Sequence, residues 1–158
     1  MKYTDTQVVF SEIPGEITLA INISNCPLRC KGCHSPELWE DVGTELTKEE
    51  VSDLIKKNTG ITCVCFMGGD RNYLEIEELA QWVKNNFNLK TAWYSGREEI
   101  PSNLRKDLFN YVKFGSYIES LGGLNVKGTN QRLYRVEEKK ECDLTWYTLE
   151  DITYKLQN

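Results

Sequence analysis

Apolar residues recur along this chain in two alternating rhythms. Ile17, Leu19, Ile21 and Ile23 fall at every second position, which predicts a strand with one buried face running straight into Ser24-Asn25-Cys26. Thr47-Lys48-Glu49-Glu50 has the form of a capping box, with Val51, Leu54 and Ile55 following at helical spacing. This predicts a helix over about residues 48–58, closed by Asn58-Thr59-Gly60. The apolar run Ile61 to Met67 predicts a second strand, ending abruptly at Gly68-Gly69-Asp70. Leu74, Ile76, Leu79, Ala80, Val83 and Phe87 predict a second helix, and Leu89 to Tyr94 a third strand ending at Ser95-Gly96. Ser102 is placed to cap a short helix through Leu108, and Tyr111–Phe114 reads as a fourth strand. Beyond it lies a glycine-rich loop, Gly115 to Gln131. Leu133–Val136 and Leu144–Tyr147 are predicted to pair as a hairpin, and Thr148-Leu149-Glu150-Asp151 reads as a helix start.

Strands alternating with helices predict βαβ units and an α/β fold with a mainly parallel sheet. In such sheets the loops at the carboxyl ends of strands line the ligand site. The cysteine loop, Gly68-Gly69-Asp70 and Ser95-Gly96 are therefore expected on one edge. No repeat or linker divides the chain, so residues 1–158 are read as a single domain.

Composition narrows the chemistry. Nineteen Lys and Arg against 24 Asp and Glu leave a net charge of −5, which argues against a broad electrostatic grip on nucleic acid. No apolar run reaches the ~20 residues of a membrane helix, and the first ten residues lack the apolar core of a signal peptide. The expectation is a cytoplasmic protein without nucleic-acid or membrane partners. In that compartment six cysteines point to metal or redox chemistry rather than disulfides.

Three of the six crowd into Cys26-Pro27-Leu28-Arg29-Cys30-Lys31-Gly32-Cys33, a C-x3-C-x2-C spacing. Three thiolates on a short loop can ligate three irons of a [4Fe-4S] cubane and leave the fourth open to a small molecule. Two other readings stand beside this one: a zinc site using the three cysteines with His34, and unrelated buried thiols. Adjacency of Cys33 and His34 strains tetrahedral chelation. Cys63 and Cys65 point to one face of a strand and read as buried structural thiols. Cys142 reads as incidental, and Trp82, Trp93 and Trp146 as core or interface residues, while Trp39 is placed to cover the cysteine loop.

The cysteine spacing directly after the first strand, followed by Gly68-Gly69-Asp70 after the next, resembles the radical S-adenosylmethionine (SAM) superfamily, with Asp where its GGE-type motif has Glu. The short length and the segments Asn22-Ile23-Ser24-Asn25-Cys26, Gly115-Ser116-Tyr117-Ile118-Glu119 and Thr129-Asn130-Gln131-Arg132 resemble a narrower family. That family is the anaerobic ribonucleoside-triphosphate reductase activating proteins. The similarity spans about residues 8–135. Many superfamily members carry an aromatic residue where this chain has Gly32.

The resemblance implies an open partial (β/α) barrel of the radical SAM type, since a full eight-stranded barrel takes ~250 residues. It also implies a [4Fe-4S] cluster on Cys26, Cys30 and Cys33, and reductive cleavage of S-adenosylmethionine. The product would be a glycyl radical on the large catalytic subunit of the anaerobic reductase, with a flavodoxin or ferredoxin-type protein as electron donor. A homodimer is compatible with the sequence. For SAM itself, the resemblance and the predicted topology nominate the backbone of Gly32 and Cys33, the Gly68-Gly69 turn, Asp70 toward the ammonium, Ser95 toward a ribose hydroxyl and Lys113 toward the carboxylate. Asn130 and Arg132 are nominated for SAM contact or for ordering their loop, and His34 for a hydrogen bond near the cluster. The rival activities are activation of a different glycyl radical enzyme, a small-molecule radical SAM reaction, and a zinc-binding interaction module.

Overall fold

In the computed structural model, which describes residues 1–157, eight strands form one mixed sheet. Strand β1 (Lys2–Val9) runs antiparallel to β2 (Thr18–Ile23) and carries the two-residue β3 (Thr44–Glu45) on its outer side. The centre is parallel: β2 pairs with β4 (Cys63–Met67), β4 with β5 (Lys90–Tyr94), and β5 with β6 (Tyr111–Phe114). An antiparallel hairpin, β7 (Arg132–Glu141) and β8 (Leu144–Asp151), completes the sheet on β6. The spatial order is β3-β1-β2-β4-β5-β6-β7-β8.

The open partial (β/α) barrel with a mainly parallel sheet is therefore not what this chain builds. Two α-helices are present among the described residues, α1 (Lys48–Lys57) and α2 (Tyr73–Asn86). Three parallel pairings are flanked by antiparallel ones on both sides. The β5–β6 connection holds only a 3-10 turn at Lys106–Leu108 in place of the helix expected from Ser102. Without a helix per strand, nothing stacks around an axis to close a barrel. Thr148–Asp151 is also not a helix start; it continues β8, whose ladder to β7 runs from Glu141↔Leu144 to Tyr134↔Asp151.

Local signals account for the two helices. Thr47 Oγ1 accepts the Glu50 N–H at 3.1 Å, as the capping box requires, and Lys56 and Lys57 close the other end. Helix α2 presents Ile76, Leu79, Ala80 and Val83 to the sheet.

Alternation along the parallel strands sorts side chains onto two unequal faces. Leu19, Ile21, Ile23, Val64, Phe66, Trp93, Val112 and Phe114 join the helices in the main core. The opposite face carries Cys63, Cys65, Ala92, Tyr94 and Tyr111, covered by Ile13 from the β1–β2 loop and by Leu133 and Ile152. Cys63 and Cys65 thus share one face, and burial pushes both thiols up far enough to keep them protonated at neutral pH. Among the described residues, no helix is long and apolar enough to cross a membrane.

A buried carboxylate ties the amino ends of the parallel strands together. Glu16, just ahead of β2, accepts hydrogen bonds from Thr62 Oγ1 (2.7 Å), Tyr111 Oη (2.7 Å) and the Lys90 ammonium. Burial alone would raise its pKa; the bonds from Lys90, Thr62 and Tyr111 outweigh that and hold the carboxyl below its usual range. A depressed native pKa contributes stability fully above the unfolded value of about 4.3 and loses it as pH falls through the folded value. Glu16→Gln is expected to lower unfolding free energy by about 2 kcal/mol at neutral pH in urea titrations. The gap to wild type should narrow progressively below about pH 4.3.

Candidate functional site

The cysteine loop hangs from the carboxyl end of β2 and is tied at its base. Asn25 N–H donates to Glu40 O and Cys26 N–H to Leu38 O, each at 2.9 Å, so the chain returns beside its own start. Inside the loop Arg29 (φ 47°) and Gly32 (φ 73°) are left-handed, and Asn25 (φ 62°) is left-handed at its entrance. Asn tolerates this conformation and Gly adopts it without strain. A Cβ at Gly32 would lie 3.0 Å from Glu119 Cδ, so no larger residue fits there unless Glu119 moves.

Cys26, Cys30 and Cys33 are all free, half-exposed, and line one cavity of about 250 Å³. Burial pushes the Cys26 thiol up, while the N–H groups of Leu28 and Arg29 pull it back. Among the described residues, no three His, Cys, Asp or Glu side chains converge closely enough to hold a single metal ion. A tetrahedral zinc with ~2.3 Å bonds needs its thiolates roughly 3.8 Å apart; in a cubane each thiolate binds its own iron. Three free thiols around one cavity are a donor set that a multi-iron cluster can use. His34 is not among the lining residues; its ring packs on Tyr117, centroids 4.7 Å apart. Trp39 does line the cavity, and its indole N–H is buried without an acceptor within the protein, a donor suited to sulfur. Donor set and orphaned N–H together fit an iron–sulfur group.

Across the cavity lies the turn after β4. Gly68 (φ 106°) passes so close to β2 that a Cβ would sit 3.0 Å from Ile23 O, and Gly69 (φ 79°) faces Ile76 at 2.5 Å on the same test. Asp70 is buried and knits the ends of β4 and β5: Oδ1 accepts the Ser95 hydroxyl, and Oδ2 accepts the Gly96 N–H at 3.2 Å. Ser95 Oγ also accepts the Arg97 N–H at 3.0 Å. From β6, Lys113 Nζ donates to Gly115 O (2.7 Å) and Ser95 O (3.3 Å) without meeting a carboxylate. Desolvation brings its pKa down to about 8, opposed by the negative charges of Asp70, Cys30 and Glu98.

One cavity thus gathers Cys26, Cys30, Cys33, Gly68, Asp70, Ser95 and Lys113. Gly69 faces away, onto a separate hollow beside the Met1–Glu75 ion pair. Arg132 lies outside the cavity, on β7 with Asp151 at 3.8 Å, and Asn130 braces the loop by donating to Ser116 O at 3.0 Å. Met67, Tyr94 and Tyr117 line the site although sequence reasoning assigned them no part in it. For Met67 and Tyr94 the signal was strand parity, which sets them on the face of Cys63 and Cys65. Tyr117 had no sequence signal beyond its loop. A second cavity of about 560 Å³ shares Met67, Tyr94, Lys113 and Gln131 with the first and continues between Glu12, Leu124 and Leu156.

A family model described as "4Fe-4S single cluster domain" matches residues 14–136. No curated protein and no solved structure matches the chain. Anaerobic reconstitution with iron and sulfide is expected to load the wild-type protein and the Cys142→Ala variant equally, by metal and acid-labile sulfide analysis. Cys26→Ala, Cys30→Ala and Cys33→Ala should each lose the cluster, and zinc should not replace it stoichiometrically.

Proposed function

Because the chain belongs to the 4Fe-4S single cluster domain family, we propose that it is a radical SAM activating enzyme. In this reading it cleaves S-adenosylmethionine reductively and generates a glycyl radical on the large catalytic subunit of an anaerobic ribonucleoside-triphosphate reductase. The observation that carries the reading is the shared cavity: three free thiols, no fourth cysteine, and the Gly68–Asp70 turn on the facing wall. Cys26, Cys30 and Cys33 would hold the cluster, leaving one iron for the amino and carboxylate groups of SAM. When bound and reduced, the cluster supplies one electron to the sulfonium, whose C–S bond breaks to methionine and a 5′-deoxyadenosyl radical.

The chain's own residues bind and orient. Lys113, buried with only carbonyl partners, offers a cation to the methionine carboxylate at little reorganisation cost. Asp70, fixed by Ser95 and Gly96, presents a carboxylate for the ammonium. Cys33 would border the adenosine with Tyr117 as the aromatic part of the wall, while Gly32 and His34, packed against Glu119 and Tyr117, lie outside the cavity lining. Asn130 and Arg132 act on the loop and on β7 rather than in the cavity. The 5′-deoxyadenosyl radical would take one hydrogen atom from the α-carbon of the partner's glycine, becoming 5′-deoxyadenosine and leaving the glycyl radical, and a flavodoxin or ferredoxin-type donor would return one electron to the oxidised cluster. The adjoining larger cavity, floored by Met67, Tyr94 and Lys113 of the strands and rimmed by loop residues such as Glu12 and Leu124, supports a polypeptide as the second reactant.

The test is anaerobic turnover with a chemical reductant, measuring 5′-deoxyadenosine and methionine in wild type and Cys30→Ala. Wild type should cleave SAM and Cys30→Ala should not; cleavage by the variant would refute the ligand assignment. With reductase present, a glycyl radical signal should appear by electron paramagnetic resonance. Leu124→Trp, which narrows the second cavity at its loop side, should keep partner-free SAM cleavage and lose most of that radical.

A further inference from the structure

Trp93 sits in the middle of β5 with none of its surface exposed, yet its one polar atom is not idle. The indole N–H donates to Gly68 O at 2.7 Å, reaching from one strand to the turn that ends the next. Neighbours lock the ring: Phe114 meets it edge-on at 5.5 Å, Phe109 lies at 6.2 Å and Tyr73 stacks at 6.0 Å. Packing alone asks for apolar bulk here, and a buried N–H would be a liability without an acceptor. The acceptor it finds belongs to the one turn in the cavity wall with two consecutive left-handed glycines, the residue type with the most permissive backbone.

The rest of that turn is held in the same manner. Gly69 O accepts the Asn72 N–H at 3.1 Å, and Asp70 O accepts Arg97 Nη2 at 2.5 Å. The Arg97 guanidinium in turn lies 5.4 Å over the Tyr73 ring, so both pins lean on one aromatic group. All three carbonyls of Gly68-Gly69-Asp70 are therefore held by groups that are not part of the cavity lining.

We propose that Trp93 is a positioning residue: its indole N–H fixes the Gly68–Gly69 peptide plane and thereby the wall against which the substrate of the cysteine cavity is aligned. The effect on SAM rests on the function proposed above; the hold on the turn does not. Two replacements at position 93 separate the bond from the bulk: Trp93→Phe, and benzothienylalanine introduced by nonsense suppression, which keeps the bicyclic shape and lacks the N–H.

In both variants, hydrogen–deuterium exchange over residues 67–72 should accelerate about tenfold, the equivalent of one lost hydrogen bond near 1.4 kcal/mol. In the benzothienylalanine protein, which keeps the bulk against Phe114, exchange in β2 and β6 should not change. KM for SAM should rise by a similar factor while kcat for 5′-deoxyadenosine formation stays within about twofold, because alignment is lost before chemistry is. Unchanged exchange at the turn in a folded benzothienylalanine protein would overturn the proposal, as would acceleration spread evenly over the sheet. Wild-type protein that fails to cleave SAM would sink the catalytic reading instead, and the exchange comparison would still decide whether Trp93 holds the turn.

Discussion

Parallel pairing of β2, β4, β5 and β6 forces four consecutive strand ends to one edge of the sheet, and with them four stretches of backbone that the ladder no longer satisfies. Side chains from the strands themselves take over. Asp70 accepts from the β5 turn, Lys113 donates to two carbonyls beyond β5 and β6, and Trp93 reaches back to the end of β4. Each of these groups is buried, so each bond is made where an unmet partner would be expensive. The cavity is the space those bonds hold open, and the cysteine loop is its remaining wall.

The unequal faces of the sheet give that space its depth. On the helix side the strands offer Leu, Ile, Val, Phe and Trp, which fill the layer completely. On the other side Ala20, Cys63, Cys65 and Ala92 are small, and the cover is made of loop residues such as Ile13 and Ile152. At the amino end Glu16 and its three partners close this thinner layer. Toward the carboxyl end it stays open as two adjoining hollows that share Lys113 and Tyr94 in their walls.

What the sequence disclosed follows the range of each signal. Period-two apolar residues placed β2, and the Thr47 capping box placed α1, because both are local. The chemistry was equally local, since the three cysteines lie within eight residues and the glycine pair ends a strand. The barrel expectation failed because strand–helix alternation over the middle of the chain was extended to its ends. There β1 and the β7–β8 hairpin pair antiparallel instead. β1 itself was missed: as Lys2-Tyr3-Thr4-Asp5-Thr6-Gln7-Val8-Val9 it buries no residue fully and shows no clean alternation. Tyr117 was illegible for a different reason, since its place beside His34 depends on how a loop far along the chain folds back. The bond from Trp93 to Gly68 was hidden in the same way, because an indole in a strand reads as bulk whether or not its nitrogen has a partner.

The folding back of residues 115–131 over the cysteine loop has a consequence in time. The ribosome releases the three thiols early and the segment carrying Tyr117 and Glu119 late, so for most of its synthesis the nascent chain presents them unscreened. In the finished protein that segment packs on Gly32 and His34 and leaves Cys26, Cys30 and Cys33 half-exposed, so it narrows the way in for iron and sulfide without closing it.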